Sequence, residues 1–160
     1  MTVREDEIER ADGSSGIYGV VEKTDFALVI PFDGEAFYLV EQYRYPVGGR
    51  FQEFPQGSWE ADPDADPLAL ARGELREETG LHAGSMEHLG HLYEAYGFST
   101  QGFDVYLASD LTQGTPDPAI EEADLRVERV PRSEFEELVR IGQIKDAPSV
   151  AAYSLLQLTQ

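Results

Sequence analysis

Cysteine is absent from these 160 residues, which removes disulfides, thiolate metal sites and cysteine nucleophiles from consideration. That absence is compatible with a reducing compartment, and a cytoplasmic location is the expectation. Long hydrophobic runs are absent too. Nowhere do about 18 apolar residues follow one another, and the opening MTVREDEIER is polar, so the chain reads as soluble and not exported. Basic residues are scarce: 12 lysines and arginines stand against 31 acids, for a net charge of −19. Such a surface repels nucleic-acid backbones and anionic membranes, which argues against polynucleotide and membrane partners. A phosphate-bearing small molecule would have to be recruited locally, by metal or by a few placed arginines. The chain also lacks a P-loop, a dinucleotide fingerprint and any serine-histidine-acid arrangement. His82, His88 and His91 do not have the spacing of a ligand cluster, and on a regular strand His88 and His91 fall on opposite faces.

What is present suits one ordinary domain, large enough to bury a core unaided. Residues 1–15 are charged and close on DGSSG, which reads as a flexible or loosely docked leader before a domain over 16–160. Strand character follows over 17–22, 26–32 and 36–43, the last two separated by the hairpin dipeptide Asp33-Gly34. A short strand over 51–54 stops at Pro55. Asp66-Pro67 has the chemistry of a helix start, a capping carboxylate followed by a proline whose missing donor would be unpaired anyway, and Gly80 is a natural stop. Leu68, Ala71 and Leu75 give that helix an apolar stripe, so its glutamates are expected to fall away from the core. Strands over 87–94, 103–109 and 125–130, then helices over 133–141 and 148–158, complete the pattern. Without regular βαβ alternation this predicts an α/β fold, a sandwich built on a mixed sheet.

The helix carries the chemistry. Within RGELREETGL, Glu74 and Glu78 stack one above the other and Glu77 lies beside them, so three carboxylates crowd one edge. Like charges arranged this way destabilise a bare helix. Carboxylate oxygens are the ligands that hard divalent cations prefer, and Mg²⁺ or Mn²⁺ so held commonly serves a phosphate substrate.

The stretch from Gly57 to Leu81 resembles the Nudix box, whose pattern is a leading glycine, a glutamate, and then R-E-U-x-E-E-x-G-U with U a bulky aliphatic. Glu74, Leu75, Glu77, Glu78, Gly80 and Leu81 match the ending residue by residue, and Gly57 supplies the opening glycine. Three departures stand out. Gly73 occupies the place of the arginine that usually steadies the glutamates, with Arg72 one position early, about 100° around the helix. The loop from Glu60 to Pro67 is longer than the family's. Ala65 sits where the first glutamate belongs. Arg72 or Arg76 is a candidate substitute for the arginine, and Asp62 or Asp64 for the glutamate.

The flanks extend the likeness. EQYRYPVGGRFQEFPQG, over 41–57, is similar to the segment before the box in ADP-ribose pyrophosphatases and related nucleoside-diphosphate-sugar hydrolases. That resemblance implies a Nudix-type α/β/α sandwich with a central mixed β-sheet. It implies that Arg44 contacts substrate phosphates, that Glu53 helps hold the ligand, and that Tyr96, Gly97 and Phe98 belong to a substrate loop. Glu74, Glu77, Glu78 and the backbone carbonyl of Gln56 are implied as ligands of Mg²⁺, with Mn²⁺ a substitute, and Glu77 counts among the catalytic groups. Glu122, or else Glu121, is the implied general base. The implied reaction is hydrolysis of a nucleoside diphosphate sugar, ADP-ribose first, to AMP and ribose 5-phosphate by a homodimer. Two alternatives stay open: a non-cleaving nucleotide-sugar sensor, favoured by Gly73 and Ala65, and an enzyme for nucleoside triphosphates or dinucleoside polyphosphates.

Overall fold

The computed structural model describes residues 1–59, 62, 65–114 and 124–159. Nine strands and three α-helices appear among them. Strands β1 (Thr2–Glu9), β2 (Ser15–Glu22), β3 (Phe26–Pro31), β4 (Ala36–Arg44), β5 (Gly49–Glu53) and β6 (Gln56–Gly57) precede helix α1 (Pro67–Thr79). Strands β7 (Leu81–Tyr93), β8 (Gly102–Gln113) and β9 (Arg126–Pro131) follow, then α2 (Arg132–Arg140) and α3 (Ala147–Thr159).

Strand β3 is the centre because all six of its residues are buried. Its two faces alternate between two clusters, as the period of a strand requires. Ala27 and Val29 meet Leu70, Ala71 and Leu75 of α1, together with Tyr106 and Ala108 of β8. Phe26, Leu28 and Ile30 point the other way, into Phe37, Phe54, Phe135 and the apolar side of α3. Helices therefore cover both faces of a four-stranded sheet ordered β6-β3-β8-β7, in which β3 runs parallel to β8 and antiparallel to β6. A second, antiparallel sheet ordered β5-β4-β9 closes the larger core. The mixed-sheet α/β/α sandwich is the architecture expected from the sequence.

Helix α1 begins and ends as expected: the Asp66 side chain accepts from the Ala69 amide at 3.2 Å, and Gly80, at φ +71°, closes it. Three expectations are corrected. Asp33-Gly34 does turn the chain, but β3 and β4 share only the Phe32–Phe37 bridge before they enter different sheets. Both edges of β3 are already taken, by β8 and β6. Strand β7 begins well before its expected start at 87 and β8 continues past its expected end at 109, because these polar extensions pair with each other from Leu81–Gln113 onward.

The third correction concerns the histidines. A register shift between His88 and Gly90 inserts one residue and turns the strand over. His88 and His91 consequently share a side and converge on Asp104, at 2.7 and 3.5 Å. Residues 1–15, expected as a flexible or loosely docked leader, contain a regular strand. Thr2–Glu9 pairs along its length with Ser15–Glu22, and the Arg4 guanidinium meets Glu22 at 2.9 Å. This ribbon joins the body where the Val21 amide donates to the Phe98 carbonyl. No helix among the described residues is long and apolar enough to cross a membrane.

The ring of Phe37, fully buried, packs against Phe32, Phe54, Phe135 and Tyr153 with centroids 5.1–6.0 Å apart. Phe37→Ala should lower stability by about 3–5 kcal/mol in urea unfolding. A loss below about 1 kcal/mol would show that the aromatic cluster collapses around the gap.

Candidate active site

The site begins where β6 is laid along α1. Pairing of Gln56 and Gly57 with Leu28 and Ala27, and a 2.9 Å bond from the Val29 amide to the Pro55 carbonyl, hold the 55–57 segment at the sheet edge. From there the Gln56 amide donates to the Glu78 carboxylate at 3.1 Å. Gly57 lies so close to Glu74 that a Cβ would stand 2.6 Å from its carboxylate carbon, so only glycine fits without movement. Glu74 and Glu78 are 7% and 1% exposed. The expectation that they turn to solvent is therefore corrected: the stripe of Leu70, Ala71 and Leu75 covers one edge of the buried face, and segment 56–57 roofs the other.

Glu77 is half-buried and pairs with Arg76 at 2.9 Å. Of the two arginines considered for the vacant bracing position, Arg76 thus reaches the acidic trio, whereas Arg72 donates to the Ala83 carbonyl at 2.9 Å, toward β7. Gly73 itself lies beneath Trp59: a Cβ there would be 2.5 Å from the indole Cζ2. Asp62 is exposed. Glu121, Glu122 and Asp64 lie outside the described residues.

A cleft of about 610 Å³ opens beside this edge, lined by Arg44, Glu53, Gln56 and Gly57 among others. Adjacent strands β4 and β5 bring Arg44 to Glu53. The Glu53 carboxylate, 2% exposed, takes Arg44 Nε at 3.2 Å, a second Arg44 nitrogen, and Gln42 Nε2 at 2.8 Å. Burial lowers the Arg44 pKa, but Glu53, and behind it Glu78 and Asp146, outweigh that effect and leave it raised. Burial likewise pushes the Glu53 carboxyl up, and Arg44 offsets only part of the rise.

Tyr96, Gly97 and Phe98 do not line the cleft. Tyr96 and Phe98 are 84% and 59% exposed, and the Gly97 and Phe98 carbonyls accept from Tyr18 and Val21 of β2. Their neighbours Glu94, Ala95 and Gln101 take the lining positions instead. The loop is bonded instead to the ribbon, where the Thr100 amide also donates to the Val21 carbonyl at 3.0 Å.

Sequence reading missed Lys23, Lys145 and Asp146. The chain has two lysines, and both line this cleft, a signal that the scarcity of lysine carries by itself. Lys145 lies 5.2 Å from the centre of the Phe51 ring. Asp146 accepts from Gln56 Nε2 at 3.0 Å and from the Ser149 amide and hydroxyl at 2.8 and 2.7 Å, so it ties the box segment to the start of α3.

The sequence model of the NUDIX domain matches residues 23–153. The chain belongs to that family. Among its relatives, an ADP-ribose pyrophosphatase of Mycobacterium tuberculosis (strain ATCC 25618 / H37Rv) is 33% identical over 153 residues, which span 94% of this chain and 73% of that protein. A methanol dehydrogenase activator of Bacillus methanolicus is 27% identical over 157 residues, spanning 97% and 84%. A solved structure described as an ADP compounds hydrolase superposes with a TM-score of 0.86 over 97% of this chain and 83% of that one; at 21% identity it speaks for the fold.

Because the folded state holds the Glu53 pKa above its ordinary value, ionised Glu53 is a liability at neutral pH that disappears once both states are protonated. Glu53→Gln should therefore gain in stability relative to the parent as pH rises from the carboxylate range to 7. Melting of both proteins across that range checks the sign; a difference independent of pH would contradict it.

Proposed function

We propose that this protein hydrolyses the pyrophosphate bond of a nucleoside diphosphate sugar, ADP-ribose first, to AMP and ribose 5-phosphate with the help of Mg²⁺ or Mn²⁺. The observation that carries the reading is the seating of Glu74 and Glu78 against Gln56 and Gly57 at the edge of a cleft that holds Arg44 and both lysines. Among the described residues no three carboxylate or imidazole side chains converge tightly enough to hold an ion unaided. A few carboxylates suffice for Mg²⁺, which keeps several waters and completes its shell with substrate phosphates. The hard-oxygen set of Glu74, Glu78, Glu77 and the Gln56 carbonyl fits that chemistry.

When bound, the divalent ion neutralises phosphate oxygens and acidifies a water. Arg44 presents a planar fork to the diphosphate, held in orientation by Glu53 and, through it, Gln42. Lys23 and Lys145 draw the anion into a chain whose net charge would otherwise repel it. Glu122 or Glu121 accepts a proton from the attacking water. The water oxygen adds to one phosphorus, the bridging P–O bond breaks, and the leaving phosphate takes the electron pair.

Support for the substrate class comes from the 33% identical ADP-ribose pyrophosphatase. We also propose a homodimer. A two-stranded ribbon such as β1–β2 is marginal by itself, and Met1, Val3, Ile17 and Tyr18 leave apolar surface on it for a second copy to cover. A monomer in solution scattering would overturn that. One relative is named as a dehydrogenase activator and not as a pyrophosphatase, which leaves a second reading to test, a sensor that binds the nucleotide sugar without cleaving it. Calorimetry with product analysis separates the two.

Incubation with ADP-ribose, ADP-glucose, GDP-mannose and NADH in Mg²⁺ or Mn²⁺ should release phosphate monoesters; no turnover of any would refute the hydrolase. Glu78→Gln should cut kcat/KM by more than about 10²-fold in a folded protein. Lys23→Met and Lys145→Met should each raise KM about tenfold with kcat nearly unchanged, and flatten its dependence on salt. An unchanged KM would take the lysines out of substrate capture.

A further inference from the structure

Residues 56–59 run along α1 against the direction of the helix, touching it at successive points: Gln56 at Glu78, Gly57 at Glu74, and Trp59 at Gly73. Of these residues only Trp59 is large. Gln56 turns its side chain away to Asp146, and Gly57 and Ser58 offer almost no surface to pack. Trp59 rests its benzo edge on the helix where Gly73 leaves the backbone bare, since a Cβ there would lie 2.5 Å from Cζ2 and 3.4 Å from both Cε2 and Cη2. The same ring packs against the cluster of Leu70, Ala71 and Leu75. It is the chain's single tryptophan.

We infer that Trp59 and Gly73 form a clamp, with Trp59 a positioning residue that seats segment 56–59 on α1 and thereby fixes the Gln56 amide and the Gly57 backbone against Glu78 and Glu74. The clamp is apolar where an arginine brace would be ionic. An arginine at position 73 would have to displace the indole before it could act, so glycine at 73 and tryptophan at 59 are one arrangement. The inference that the clamp tunes cation binding rests on the metal reading above; the seating itself does not.

The test uses the whole chain, without substrate. Amide hydrogen exchange of Gln56, which donates to Glu78, should be about tenfold faster in Trp59→Ala and in Gly73→Ala and near parental in Trp59→Phe. The double variant should be no faster than either single one, because both remove the same contact. Alanine is a better helix former than glycine, so a role confined to helix stability predicts the opposite for Gly73→Ala: a protein at least as stable with unchanged exchange. Calorimetric titration with Mg²⁺ alone should show affinity weakened several-fold in the same two variants and restored in Trp59→Phe. Unchanged exchange in Trp59→Ala, or additive effects in the double variant, would overturn the clamp. If the parent protein takes up no Mg²⁺, the metal reading fails, while the exchange measurements still decide the clamp. Should Trp59→Ala not fold, Gly73→Ala and Trp59→Phe carry the comparison.

Discussion

Two glutamates buried on the edge of one helix constrain much of the molecule. A carboxylate taken out of water is costly unless donors or cations replace its hydration. Glu78 receives the Gln56 amide, and Gly57 lies so close to the Glu74 carboxylate that any side chain at 57 would displace it. For the chain to arrive there, the last strand before the helix must be short, must pair with the edge of β3, and must pass close over α1. Gln56–Gly57 meets all three demands with two residues. The central strand of the core and the acidic edge are thereby coupled through one short antiparallel contact.

The second constraint is charge. In a chain with so large an acidic excess, cations are consumed by surface pairs such as Arg4 with Glu22 and Arg140 with Glu137. Such exposed pairs contribute little to stability. The cleft is different. Arg44 is held there by a carboxylate so buried that its own ionisation is disfavoured, which indicates a geometry maintained against the preference of one partner. Misfit of this kind is more common where a group serves a ligand than where it serves the fold. Asp146 extends the linkage by joining the box segment to α3.

How much of this could be read beforehand depended on whether the signal was local. Helix α1 was legible at both ends because Asp66, Pro67 and Gly80 act through their immediate backbone. The central strands were legible from their apolar runs. The hairpin at Asp33-Gly34 was half legible: the turn is local, but the fate of its strands depends on β8, some seventy residues on. The histidine pair was lost to one inserted residue in β7, which no alternation rule anticipates. Resemblance implied roles for Arg44 and Glu53, which the structure pairs in the cleft, whereas Lys145 and Asp146, in the segment between the last two expected helices, carried no local signal. That Tyr96, Gly97 and Phe98 stand off the cleft was not legible either, since the strand that bonds their loop, β2, lies far upstream.

The departure at position 73 follows from the same geometry. Arg72 and Arg76 lie one turn apart on α1, where Arg72 meets the Ala83 carbonyl and Arg76 meets Glu77. Neither lies under the segment that roofs Glu74 and Glu78. Position 73 does, and there a long cation and the indole would compete for the same space. An ionic brace weakens as salt screens it, whereas an aromatic ring seated on bare backbone does not depend on ionic strength in that way. For a protein this acidic, a proposed anionic substrate that must be gathered by charge and glutamates that must stay in place are better served by two separate devices. In the function proposed above, capture falls to lysines and arginine that salt can screen, and in the proposed clamp alignment falls to packing that it cannot.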